Sequence, residues 1–97
     1  MEPASSRPAS AHAVLRAPSP QGIHARPAAR IVEAARRYEA ETVLAVGTST
    51  ARAKDLLDVL ALAATGGVEV RVEASGRDAD AAVAALVTLF DVMAAGG

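Results

Sequence analysis

The sequence predicts an α+β domain with the element order β-α-β-β-α-β-α and all three helices on one side of a single sheet. Three observations predict it. Val68, Val70 and Val72 alternate with Glu69, Arg71 and Glu73, the period-two pattern of a strand with one buried and one wetted face. Two other segments repeat apolar residues at i, i+3, i+4 and i+7: Ala28, Ile31, Val32 and Ala35, and later Val83, Leu86, Val87 and Phe90. A sheet wetted on one face and helices apolar along one stripe satisfy each other when the helices share a side.

Residues 1–12 are rich in Pro, Ala and Ser and offer almost nothing to bury, so a disordered leader is expected there, with the domain spanning 13–95. The first strand covers 13–16 and is closed by Pro18, Ser19, Pro20, Gln21 and Gly22. In the helix that follows, Arg30, Glu33, Arg36 and Arg37 fall mostly opposite the apolar stripe, and Glu33 stands one turn before Arg37, a favourable pairing. Pro27 fits only a first turn, where backbone N–H groups have no helical partner. The helix therefore starts just before it, with His24 at or next to the N-cap. Residues 42–46 and 50–53 are β-prone and flank Gly47, Thr48 and Ser49, which suggests a hairpin. Asp55 then caps a short helix that has Asp58 in its first turn, a buried stripe of Leu56, Val59, Leu60 and Ala63, and a stop at Gly66 and Gly67. Beyond the valine strand and Gly76, Asp78 caps the last helix.

A chain of 97 residues holds one core. Apolar residues make up 52% of it, yet there is one Tyr and one Phe, so the interior is built from Ala, Val and Leu and offers no aromatic platform. Ten basic against eleven acidic residues leave a net charge of −1, and with almost no aromatics to stack bases this argues against nucleic-acid binding. The absence of cysteine excludes disulfides, thiolate metal sites and a Cys nucleophile, and fits a reducing compartment; the cytoplasm is expected. No segment approaches the roughly 20 apolar residues of a membrane-spanning helix. Two histidines twelve residues apart, without an HExxH pair, argue against a zinc site, and neither a GxxxxGK[ST] loop nor a GxSxG elbow is present. No metal or cofactor is expected. His12, in the leader, reads as a solvated surface histidine.

The distinctive segment is Gly22, Ile23, His24, Ala25, Arg26, Pro27 and Ala28. A histidine at a helix start faces unpaired N–H groups and the positive end of the dipole, which favour an anion attached to the ring or placed beside it. A neutral ring nitrogen is a nucleophile, and Arg26 is placed to donate charge-assisted hydrogen bonds to the same anion. Gly22 permits close backbone approach and Pro27 fixes the helix entry. The anion best matched to this set is a phosphoryl group held for transfer. On the residues alone, a plain helix cap beside an exposed arginine remains open.

Over residues 13–93 the sequence resembles HPr, the histidine-containing phosphocarrier family of the bacterial phosphoenolpyruvate-dependent phosphotransferase system. The GIHARPA segment carries most of the likeness, supported by Tyr38 to Glu41, Ala53 and Lys54, Gly67, and Glu73 to Gly76. The resemblance implies an open-faced β-sandwich, a four-stranded antiparallel sheet with three helices on one face. It also implies that His24 accepts phosphate on Nδ1 from phosphorylated enzyme I and passes it to a IIA component of a sugar or regulatory branch, with Arg26 steadying the phosphate. Both partners would dock on Ala25, Ala29, Leu57 and Leu60, with Arg16, Arg26, Arg30 and Arg36 as charged contacts. A monomer is expected. Leu57 lies off the core stripe, so either it waits for a partner or it is a loosely buried core residue.

The sequence departs from the family in three places. Asp55 stands where many relatives carry a serine that is phosphorylated for regulation; it keeps the capping role without the hydroxyl, so no modification is expected there. Asp58 puts negative charge on a face whose IIA partners in the family are typically acidic. The loop before His24 is also longer than usual. A regulatory module that shares the fold and acts by docking alone is the alternative reading.

Overall fold

Period-two and helical patterning resolve into seven elements: β1 (Ser10–Arg16), α1 (Ala25–Ala35), β2 (Glu41–Val46), β3 (Ser49–Arg52), α2 (Leu56–Ala61), β4 (Glu69–Ser75) and α3 (Ala79–Ala94). The computed structural model describes residues 10–18, 22–62 and 64–96. All four strands join one antiparallel sheet in the order β1-β4-β2-β3. β4 lies inside the sheet and shows the predicted alternation, with Val70, Val72 and Ala74 buried and Glu69, Arg71, Glu73 and Ser75 exposed. The inward side chains meet the helices. Ile31 of α1, Leu44 of β2, Val59 of α2, Val70 and Val72 of β4 and Leu86 of α3 are the largest fully buried residues. Each such side chain contributes about 1.5–3 kcal/mol on burial. Alanines from every layer, among them Ala28, Ala51, Ala74 and Ala82, fill the space that aromatics would otherwise take.

Several expectations are corrected. β1 begins at Ser10 rather than at residue 13 and pairs Ser10 with Ser75 and His12 with Glu73, so His12 is a strand residue and not part of a leader. Residues 1–9 and the loop residues Ser19, Pro20 and Gln21, hence the expected lengthening before His24, lie outside the described residues, as does Ala63. β3 runs one residue earlier than predicted, from Ser49 to Arg52, although just beyond it Ala53 N–H still donates to Thr42 O at 2.8 Å in the register that pairs Val43 with Arg52. α2 ends at Ala61 with Leu62 as its C-cap, ahead of Gly66. Its buried stripe is not the predicted one: Val59 and Leu62 are buried and Leu60 half-buried, whereas Leu56 is 40% exposed. Among the described residues, no ion pair joins Glu33 to Arg37. Asp78 precedes α3 but its side chain makes no capping bond to that helix.

Candidate functional site

The segment that enters α1 is held from two sides. Gly22 adopts φ +73° and its N–H donates to Pro18 O at 2.7 Å, while Ile23 is buried and its N–H donates to Ala64 O at 2.8 Å. A side chain at Gly22 would collide with that same Ala64 carbonyl, so glycine is required both by the positive φ and by the close approach of the two loops. These anchors place His24 at the N-cap of α1, with extended backbone and with its carbonyl accepting from Ala28 N–H at 2.9 Å. The imidazole is exposed and makes no capping bond.

Pro27, buried in the first turn, has no N–H to donate, and the N–H groups of His24, Ala25 and Arg26 have no hydrogen-bond partner among the described residues. Three donors without a partner among the described residues, and the positive helix end, thus lie at the exposed His24. Arg26, the second residue of α1, is exposed and its guanidinium makes no ion pair among the described residues. Such a helix start can hold an anion carried on the ring. Among the described residues no group of three or more His, Cys, Asp or Glu is gathered for a metal, and no helix is long and apolar enough to cross a membrane.

The predicted docking residues divide between the two flanks of α1. Ala25 and Ala29 are exposed, and α1 packs beside α2, where Leu57 is 76% exposed and Leu60 half-buried. The reading of Leu57 as a loosely buried core residue is thereby removed. Arg36 belongs to this side, since its Nε donates to Lys54 O at 3.0 Å. Arg30 does not: with Ala34 and Arg37 it lines the groove between α1 and α3. Arg16 reaches back from the end of β1 to donate to Gly67 O at 3.2 Å.

Asp55 caps α2, its Oδ1 accepting from Asp58 N–H at 3.1 Å. Asp58 is not an open negative charge: its Oδ2 accepts from Arg52 Nε at 2.8 Å and from Arg52 N–H at 3.3 Å. Those bonds hold the Asp58 carboxyl below the usual carboxylate range. Sequence reasoning passed over Arg52, although its place three residues before Asp55, just ahead of a capped helix, is a signal visible in the chain.

The family model described as "PTS HPr component phosphorylation site" matches residues 13–91. The phosphocarrier protein HPr of Treponema pallidum is 42% identical over 69 residues, which cover 71% of this chain and 78% of that protein. The multiphosphoryl transfer protein of Xanthomonas campestris is 38% identical over 76 residues, 78% of this chain and 9% of that much longer protein. Among solved structures, HPr from Thermoanaerobacter tengcongensis matches with a TM-score of 0.82 at 26% identity, over 88% of this chain and 96% of its own. The order β1-β4-β2-β3 with three helices is the open-faced α+β sandwich of these proteins. With the family model matched over most of the sequence and the fold shared, the chain belongs to the HPr family, the small phosphoryl carriers of the phosphotransferase system.

Proposed function

We propose that this chain carries its phosphoryl group on His24, accepting it from phosphorylated enzyme I and delivering it to a IIA component of a sugar or regulatory branch. The observation that carries the reading is exposed His24 at the N-cap of α1, beside N–H groups that have no partner among the described residues and the exposed Arg26. In the transfer, the lone pair of the unprotonated Nδ1 forms a bond to phosphorus as the bond from phosphorus to the donor atom of enzyme I breaks; Nε2 keeps its proton. Arg26 and the helix end hold the oxygens as their charge redistributes. Delivery runs the same displacement outward, with His24 as the leaving group. The carrier is used stoichiometrically and needs no cofactor. Exposed Leu57, Ala25 and Ala29, beside half-buried Leu60, supply the face that both partners share in turn, in a monomer working in the cytoplasm. Asp55 has no hydroxyl, so no regulatory phosphorylation takes place at that position.

The test is a two-stage relay. The protein is mixed with enzyme I and labelled phosphoenolpyruvate, freed of donor, and then given a IIA protein. A label that survives alkali, is lost in acid and passes to the IIA protein supports the carrier. A label that forms and is never passed on supports the docking regulator instead.

A further inference from the structure

Arg52, the last residue of β3, holds both the N-cap acid and the first-turn acid of α2. Its Nη2 donates to Asp55 Oδ2 at 3.1 Å and its Nε to Asp58 Oδ2 at 2.8 Å, while its backbone N–H reaches the same Asp58 oxygen. Asp55 and Asp58 are joined in turn through the capping bond, so the three residues close a ring around the start of the helix. Leu56 and Leu57, 40% and 76% exposed, lie between the two acids in the chain. Surface ion pairs of this kind add little to stability, since the Arg52 side chain is 68% exposed and water screens it. Their effect on an approaching partner is larger. With Arg52 the trio presents one net negative charge; without it, two uncompensated carboxylates would flank the exposed leucine, Asp55 still held by its capping bond but Asp58 free to turn toward a partner, and both holding water that docking must strip away.

We propose that Arg52 is the positioning residue of the α2 docking face: it turns Asp55 and Asp58 aside so that Leu57 leads the contact, and it offsets the acid charge that would repel an anionic partner surface. The proposal rests on the carrier reading above. It identifies a residue off the helix and away from His24 as a determinant of partner affinity, acting on association and not on the phosphoryl step.

The experiment measures phosphorylation of the whole chain by enzyme I at varied carrier concentration, for the wild type, Arg52→Met, Arg52→Lys, and Arg52→Met combined with Asp55→Asn and Asp58→Asn. Asparagine keeps the capping oxygen at position 55. Arg52→Met is expected to raise KM about fivefold with kcat little changed, and the difference should shrink as salt is added. Arg52→Lys, which keeps the charge and loses the fork, should fall in between. The triple variant should return toward the wild-type KM, because the charges Arg52 offsets are gone. An unchanged KM in Arg52→Met overturns the proposal, as does a fall in kcat alone or a defect that persists in the triple variant at all salt concentrations. A wild-type protein that takes no phosphate from enzyme I removes the carrier reading and this proposal with it.

Discussion

Asp78 Oδ1 accepts a hydrogen bond from the backbone N–H of Ala40 at 2.7 Å, across 38 positions of sequence, and so ties the start of α3 to the turn that leads into β2. Its second oxygen accepts from Glu39 N–H at 3.0 Å, and Arg77 meets the Glu39 carboxylate at 3.4 Å. The two backbone donors hold the Asp78 carboxyl below its ordinary range. A carboxyl depressed in the folded state stabilises the fold fully at pH values above its unfolded pKa, and that contribution is lost as pH falls through the folded value. Asp78→Ala is therefore expected to lower Tm by several degrees at neutral pH, with the gap to wild type closing below about pH 4. Asp78→Asn, which keeps one acceptor oxygen, falls between. Thermal melts from pH 7 to pH 3 check this, and equal Tm values at neutral pH would contradict it.

Thr42 is the reverse case, a buried polar group that lacks what Asp78 supplies. It is 2% exposed and its hydroxyl has no hydrogen-bond partner among the described residues. Valine has the same shape without the oxygen to desolvate, so Thr42→Val is expected to leave stability unchanged or raise it by about 1 kcal/mol. Urea denaturation measures this, and a loss of stability would mean that the hydroxyl is engaged in solution.

Gly22→Ala combines a positive φ with a collision against Ala64 O, the acceptor that also fixes Ile23. The strain costs more than about 1 kcal/mol, and relieving it means separating the two loops next to His24. The expected result is lower stability in urea together with amide shifts at His24 and Ala25 in NMR spectra. An alanine variant with wild-type stability would show that this close approach is not required.

Leu57 and Ile31 separate docking from folding. Leu57→Ser alters a side chain that is mostly in water, so stability should stay within about 0.5 kcal/mol of wild type while KM for phosphorylation by enzyme I rises. Ile31→Ala empties a fully buried position and should cost about 2–5 kcal/mol. A Leu57→Ser protein with unchanged KM would remove α2 from the docking face.

The sequence was legible where one local rule dominates. Pro27 confines the helix start, so His24 falls at the N-cap, and the alternation around Val70 leaves one choice of strand face. Local rules fail in α2, where six residues are too few for a helical period to choose its side. Leu56 fits the stripe by spacing, yet the contacts bury Val59 and Leu62. They fail also in β1, whose residues 10–12 are strand because β4 supplies partners and not because Ser10, Ala11 and His12 favour it. The bonds of Asp78 are set by tertiary juxtaposition. Both Asp78 and Asp55 occupy N-cap positions, and only the folded chain shows that Asp55 caps its helix while Asp78 turns to Glu39 and Ala40.

Arg26 is exposed and unpaired among the described residues, so its removal should not disturb folding. Arg26→Ala is expected to melt as wild type does and to transfer phosphate more slowly in both directions. Unchanged transfer rates would take Arg26 out of the mechanism.

The most direct measurement is the site of the phosphoryl group after reaction with enzyme I and phosphoenolpyruvate, read by NMR of the intact protein with the His24→Ala variant alongside. The account predicts one phosphate on Nδ1 of His24 and an unlabelled but folded His24→Ala protein. A phosphate on His12 or elsewhere, or labelling that persists in His24→Ala, would contradict it.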